Sequence, residues 1–298
     1  MQTLLDALTS EYTSFFRYAL AMGALSSVAF GIIGTYVVAR RISYIAGAIS
    51  HSALGGIGAA LYCQHKYGAA WYFDPVFGAL LVALLSGIII GLVSLYARQR
   101  EDTVIGAVWA VGMAAGLLFI DNTPGYVEPM SYLFGRIVLV SHKDLWLVAG
   151  LDLLIVALGV AFYHKFLAVC FDEEFAELRG LNVKAWYLLL LCLTALTVVL
   201  LVKIVGIVMV VALLTLPAAI AGQFSKRLWH MMILSVIVAL IFTIGGICVS
   251  YAADTITGPT IIVVAGGAYL LSVIVKSLLH HFRSKRSVEK HPALSNDS

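Results

Sequence analysis

Residues 40–62 read RRISYIAGAISHSALGGIGAALY, two arginines followed by an apolar run whose one ionisable side chain other than tyrosine is His51. The hydrocarbon core of a bilayer is about 30 Å thick, and a helix of about 20 apolar residues crosses it. Basic residues at the end of such a run favour the cytoplasmic side of the membrane. The stretch therefore predicts a transmembrane helix that begins at the cytoplasmic surface.

Apolar segments of similar length recur through the 298 residues, of which 61% are hydrophobic and 12% are charged. Soluble domains carry about 25% charged residues, so the composition excludes a soluble enzyme, a disordered protein and a nucleic-acid reader. We predict an all-α polytopic membrane protein with about nine spans, near 15–38, 43–63, 76–96, 103–120, 145–163, 185–202, 204–221, 231–252 and 257–279. The alternative is eight spans, one of them re-entrant, because only a single charge, Lys203, separates two of the nine.

Basic residues are unevenly divided when the loops are assigned alternately to the two sides of the membrane. Fourteen lysines and arginines fall on one side and five on the other. Cytoplasmic loops carry the excess of basic residues, so nine spans place the N-terminus outside and the C-terminus in the cytoplasm. Residues 1–280 then form one transmembrane domain, and residues 281–298 form a flexible basic tail in the cytoplasm.

The cytoplasmic connection 164–184 contains the pattern of a short amphipathic helix at about 172–180. Such a helix needs an N-cap, acidic residues in its first turn and a residue suited to the left-handed conformation after its last turn. Apolar residues on one face would make it an amphipathic helix held at the cytoplasmic surface. The residues that fill these roles are Asp172, Glu173, Gly180, and the apolar pair Phe175 and Leu178.

The chain lacks the common signatures of ATP binding and of membrane-bound hydrolases. No Gly-x-x-x-x-Gly-Lys-[Ser/Thr] sequence is present, so ATP cannot bind through a P-loop. His-Glu-x-x-His and Gly-x-Ser-x-Gly are also missing. We therefore predict that the chain is not an enzyme and holds no permanent cofactor.

His51 is the clearest candidate for a functional residue within a span. Ionisable residues inside the bilayer usually mark a substrate pathway, and neutral imidazole is a common ligand for divalent transition metals. The other interpretation is a packed histidine that makes an interhelical hydrogen bond. Neighbouring glycines allow either a close helix contact or a narrow pathway; they are Gly47, Gly55, Gly56 and Gly58.

Four acidic residues complete the candidate metal site. Asp152 lies within the fifth predicted span, where it either pairs with His51 or makes a local hydrogen bond to serine, threonine or backbone. Asp121 and Glu128 flank the longest predicted outer loop, and Asp254 opens the last outer turn. Carboxylates at an outer mouth attract cations, although ordinary solvated loop residues would look the same in sequence.

Several stretches resemble, in matching order, the permease subunits of metal-cation ABC importers, which take up zinc, manganese or iron. The resemblance runs from about Gly31 to Leu279. Besides residues 40–60, the stretches that carry it are REDTVIGAVWAVGMAAGLLFI (100–120), PGYVEPMSYLFGRIVLVS (124–141), FDEEFAELRGLNV (171–183), VGIVMVVALLTLPAAIAG (205–222) and DTITGPTIIVVAGGAYLL (254–271).

The resemblance implies a multi-pass protein of the bacterial inner membrane that works as a homodimer. Two cytoplasmic ATPase subunits would bind the ATP, and an extracytoplasmic solute-binding protein would deliver the metal. Residues 172–180 would be the coupling helix that docks into the ATPase, with Phe175 and Leu178 as its anchors. No nucleic acid is expected among the partners, which otherwise include membrane lipid.

One departure from the family pattern affects the expected metal. Many members have an acidic residue four positions before the motif histidine and a proline four positions after it, where this chain has Gly47 and Gly55. A nitrogen ligand without a nearby carboxylate favours Zn²⁺ over Mn²⁺ or Fe²⁺ as the transported cation. The alternatives are a gradient-driven secondary metal transporter or channel, a permease for a metal chelate or cobalamin, and a non-transporting scaffold.

Overall fold

The computed structural model describes residues 14–68, 74–96, 101–124, 130–135 and 142–289. Every regular element within these ranges is an α-helix, and no strand occurs among them. In chain order the helices are α1 (Ser14–Ala39), α2 (Ser43–Tyr67), α3 (Pro75–Tyr96), α4 (Glu101–Asp121), α5 (Met130–Phe134), α6 (His142–Ala161), α7 (Tyr163–Phe171), α8 (Glu173–Leu178), α9 (Val183–Val205), α10 (Ile207–Phe224), α11 (Leu228–Ala253) and α12 (Thr257–Glu289).

Seven helices of the described chain are long and apolar enough to cross a membrane, namely α1, α2, α3, α4, α10, α11 and α12. The pair α6 and α7 passes the same test but is bent by 67°, and counting it as one span gives eight. The prediction of an all-helical membrane protein is confirmed. Nine spans remain a prediction, because at most eight spans are counted among the described residues.

The predicted span 145–163 corresponds to α6, which ends at Ala161. The chain bends at Phe162, which separates α6 from α7. The Phe162 ring packs on Trp186 at the start of α9, with the ring centroids 4.9 Å apart. Aromatic contacts of this kind stabilise the bend by burying a large apolar area.

The long apolar stretch after residue 183 is divided at Gly206 and not at Lys203, so the predicted boundary is wrong. Gly206 has φ of 87°, a conformation that glycine adopts without steric cost. A Cβ atom there would also lie 2.6 Å from the Leu133 carbonyl oxygen in α5. A positive φ and a close backbone contact end α9, whereas one lysine side chain leaves the helical hydrogen bonds intact.

Helix α2 packs between α3 and α4 through glycines. The contacting pairs are Gly55–Gly112 and Gly58–Gly116 between α2 and α4, and Gly56–Gly78 and Ile49–Gly87 between α2 and α3. Residue numbers rise together in the first set and in opposite directions in the second. Helices α2 and α4 are therefore parallel and α3 is antiparallel to both, as spans that alternate in direction require.

Two further helices bear on the predicted boundaries. Helix α1 packs on α6, α10 and α11, which places the first span at the centre of a second helix group. Helix α12 continues to Glu289, nine residues into the segment predicted to be a flexible tail. Residues 290–298 lie outside the described ranges.

Candidate functional site

The imidazole of His51 stacks on the indole of Trp109 in α4. Their ring centroids are 4.4 Å apart and the ring planes differ by 14°. The Nδ1 atom is buried and has no hydrogen-bond partner within the described part of the chain. The Nδ1 atom therefore makes no interhelical hydrogen bond within the described chain, and it remains a potential nitrogen ligand without a partner.

The glycines around His51 serve close helix contacts. A Cβ atom at Gly55 would lie 2.8 Å from the Gly112 carbonyl oxygen, and Gly56 and Gly58 face backbone atoms of α3 and α4 in the same way. Gly47 differs, because its nearest neighbour is a side chain: a Cβ atom there would lie 3.1 Å from Cζ3 of Trp109. Of the two interpretations of these glycines, the structure supports close packing.

Asp152 does not pair with His51. Its side chain is 3% exposed, and neither carboxyl oxygen has a hydrogen-bond partner among the described residues. The expectations of a His51 pair and of a local hydrogen bond are both wrong. Asp152 shares one face of α6 with Val148 and Ile155, which are fully buried and offer no polar atom on their side chains.

The outer acidic residues are dispersed. Asp121 is the exposed last residue of α4, and Asp254 is an exposed residue that ends α11 in the left-handed conformation at φ of 50°. Glu128 lies outside the described residues. Within the described ranges, no three histidine, cysteine, aspartate or glutamate side chains lie close enough to hold a metal ion. Among the described acidic candidates, Asp121, Asp152 and Asp254 are therefore not gathered with His51 into a metal-binding group.

Asp74 was not singled out in the sequence. It lies before α3 and lines a cavity of about 140 Å³ together with Ile57, Tyr132 and Val202. Its Oδ1 atom accepts a hydrogen bond of 2.8 Å from the Val76 backbone, so it also caps α3. An acidic residue followed by proline at the start of an apolar run is the signal that would have revealed it.

The predicted surface helix is present as α8. The Asp172 carboxylate accepts a hydrogen bond of 2.9 Å from the Phe175 backbone, and Gly180 has φ of 79°. These two local predictions are confirmed. Phe175 and Leu178 are 49% and 87% exposed, an unusual position for large apolar side chains unless another protein or lipid covers them.

Helix α8 is attached to the turn between α1 and α2. Glu173 forms an ion pair with Arg40, and the Arg40 guanidinium lies 5.4 Å from the centroid of the Tyr187 ring. Tyr36, one helical turn before Arg40, donates a hydrogen bond of 2.8 Å to the Gly159 carbonyl oxygen and packs on Phe166 of α7. Helix α8 is therefore linked through Arg40 to the turn that precedes α2, the helix that carries His51.

Comparisons with known proteins agree with this arrangement. Residues 12–276 match the model of a family described as the ABC 3 transport family. A probable metal transport system membrane protein of Chlamydia pneumoniae is 40% identical over 260 residues, which cover 87% of each chain. A manganese transport system membrane protein of Halalkalibacterium halodurans is 31% identical over 281 residues, covering 93% of this chain and 94% of that protein.

A solved structure has the same fold. It is PsaBC from Streptococcus pneumoniae in complex with Fab, and it superposes with a TM-score of 0.79 at 26% identity. The similarity covers 91% of this chain and 95% of the matched chain. The helical arrangement described above is thus that of the solved chain over nearly the whole length of both.

Proposed function

Because this chain belongs to the ABC 3 transport family of metal-importer permeases, we propose that it passes Zn²⁺, in preference to Mn²⁺ or Fe²⁺, across the membrane past His51. It is itself a transport component and not a catalytic one. The ATP would be hydrolysed by a separate subunit.

The observation that supports the proposal most directly is the nitrogen of the His51 side chain that lacks a partner among the described residues. Its Nδ1 atom is buried without a partner in the described chain, and α2 carries no carboxylate one turn earlier, where Gly47 lies. Imidazole nitrogen suits zinc, whereas carboxylate and carbonyl oxygens suit manganese. The name of the Halalkalibacterium halodurans relative assigns manganese to that protein; the ligand chemistry of this chain favours zinc.

A second copy of the chain would complete the pathway. His51 is half-buried and α4, which covers its ring, is largely exposed in the single chain. A two-fold dimer that covers this surface would bring two imidazoles to one pathway, since such an interface repeats each residue. Zinc sites are commonly built from several such nitrogen ligands.

Helix α8 supports the proposed ATPase partner. Its Phe175 and Leu178 side chains form an exposed apolar pair. The same helix is joined to the end of α1 by the ion pair between Glu173 and Arg40. With the N-terminus outside, this surface faces the cytoplasm of a bacterium, where the ATPase would dock, and the opposite ends of the spans would receive the metal from a solute-binding protein. A gradient-driven transporter or channel needs no such exposed apolar pair.

The test is the variant His51→Asn, which keeps a polar side chain but provides a poor zinc ligand. His65→Asn is the matched control, because it makes the same change at an exposed position on the same helix. Reconstituted with the ATPase and the binding protein, His51→Asn should lower uptake of radioactive zinc about tenfold, which corresponds to about 1.4 kcal/mol of barrier. Membrane insertion, dimer formation and ATPase recruitment should be normal. Uptake equal to that of the control would leave His51 as a packing residue.

A further inference from the structure

Trp109 occupies the space beside one full turn of α2. The indole stacks on His51 at 4.4 Å, and the edge of the same ring lies 3.1 Å from where a Cβ atom at Gly47 would be. Residues four positions apart lie on the same face of a helix. One indole therefore covers both the imidazole and the position on α2 from which a second ligand could reach it.

The indole cannot withdraw by a separation of the two helices. Gly55 and Gly58 hold α2 against the backbone of α4 at Gly112 and Gly116, and α2 is backed by α3 on its other side. A Cβ atom at position 47 would therefore shift the indole by a few tenths of an ångström, and a longer side chain directed at the ring would displace it further. Displacing the indole would in turn remove the flat apolar surface that fixes the orientation of the imidazole.

We propose that Trp109 positions His51 for metal contact and that Gly47, by leaving room for the indole, keeps an oxygen ligand out of the site. This inference rests on the proposed function, because it assumes that His51 contacts the cation. A metal bound to the imidazole then contacts a nitrogen atom and the aromatic surface of Trp109 where α2 faces α4, and α2 provides no carboxylate oxygen there. The Gly47–Trp109 pair thus selects cations that prefer nitrogen, such as Zn²⁺, over cations that prefer oxygen, such as Mn²⁺.

The first experiment compares zinc and manganese uptake by the complete importer in vesicles, with the same binding protein throughout. Trp109→Phe keeps a ring that can stack and should preserve both rates. Trp109→Leu should lower zinc uptake about threefold to tenfold, the size of a stacking contribution expressed as a rate. Adding Gly47→Asp to Trp109→Leu places a carboxylate in the vacated space and should lower the zinc-to-manganese ratio about tenfold or more.

The results separate this inference from the proposed function. If His51→Asn lowers zinc uptake about tenfold while Trp109→Leu leaves zinc uptake unchanged and the double variant keeps the zinc-to-manganese ratio of the unmodified importer, the proposed function stands and this inference is wrong. If none of the variants changes uptake, both are wrong. A uniform loss of both metals in the double variant, with no change in their ratio, also contradicts the selectivity step.

A second measurement does not depend on the folding of the leucine variants. Zinc chloride alone is titrated onto the detergent-purified permease, and the emission of Trp109 is obtained as the difference between the unmodified protein and Trp109→Phe. Zinc bound to the stacked imidazole should change that difference emission, and His51→Asn should remove the change. A difference spectrum that zinc leaves unaltered would overturn the proposed contact between the two rings and the metal.

Discussion

The contact between α2 and α4 can be tested with two glycines of α4 that differ only in what faces them. A Cβ atom at Gly112 would lie 2.6 Å from the Ser52 Cα atom and 2.7 Å from its Cβ atom. At Gly106, six residues earlier on the same helix, no described atom lies within 4 Å of a Cβ atom. The pair Gly112→Ala and Gly106→Ala therefore adds the same methyl group to a closed and to an open position.

The expected difference in stability follows from these distances. Non-bonded carbons pack at about 3.5–4.0 Å, so Gly112→Ala forces α4 about 1 Å away from α2. Overpacking of this size costs about 1–3 kcal/mol. Gly106→Ala instead gains about 0.5–1 kcal/mol, because alanine loses less backbone entropy in a helix than glycine does. The free energies of unfolding of the two variants should differ by about 1.5–4 kcal/mol, or at least about tenfold in the unfolding equilibrium.

The assay is unfolding of each purified variant by sodium dodecyl sulfate in mixed micelles, followed by tryptophan fluorescence. Gly112→Ala should unfold at a lower detergent fraction than the unmodified protein, and Gly106→Ala at an equal or higher one. Equal midpoints for the two variants would refute the close contact at Ser52. They would also remove the reason why the Trp109 indole cannot withdraw from α2.

Three further predictions concern topology, coupling and the buried acid. A cysteine introduced at Asn122 should react with a membrane-impermeant thiol reagent in intact cells and one at Ser225 should not; the reverse pattern would invert the predicted orientation. Replacing Phe175 and Leu178 together by glutamate should abolish co-purification of the ATPase without affecting insertion, and an unchanged yield of ATPase would rule out α8 as its docking site. Asp152→Leu should raise the detergent midpoint, because a buried carboxyl without a partner is costly, whereas a lower midpoint would show that the carboxyl makes a stabilising contact in the purified protein.

The spans and the cap of α8 were predictable because they depend on local chemistry. A run of about 20 apolar residues must be helical in a bilayer, since no water is present to satisfy its backbone groups. Asp172 caps α8 through a contact only three residues away. The position of the break at Gly206 was harder to predict from the sequence, because it depends partly on a contact with α5. That helix lies about 70 residues earlier in the chain.

The expectation for Asp152 failed for a reason that was visible in the sequence. A helical side chain reaches residues three and four positions away, and for Asp152 those in both directions are apolar: Val148, Ala149, Ile155 and Val156. A local side-chain partner was therefore excluded from the start. The bend at Phe162 is different, because the contact with Trp186 that stabilises it becomes visible only when α7 and α9 are placed side by side.

The stacking of His51 on Trp109 joins residues 58 positions apart, yet the glycines nearly determine it. Small residues let membrane helices approach closely, and Gly55 and Gly58 on α2 meet Gly112 and Gly116 on α4. These contacts fix the register of the two parallel helices. Trp109, about one turn before Gly112, must then face the part of α2 that lies one to two turns before Gly55, at positions 47–51. A tryptophan at that point leaves no space for a large residue at the first of these positions and packs flat against the last. The lack of space for an acidic side chain at position 47 and the stacking of Trp109 on His51 therefore both follow from one packing arrangement of α2 and α4.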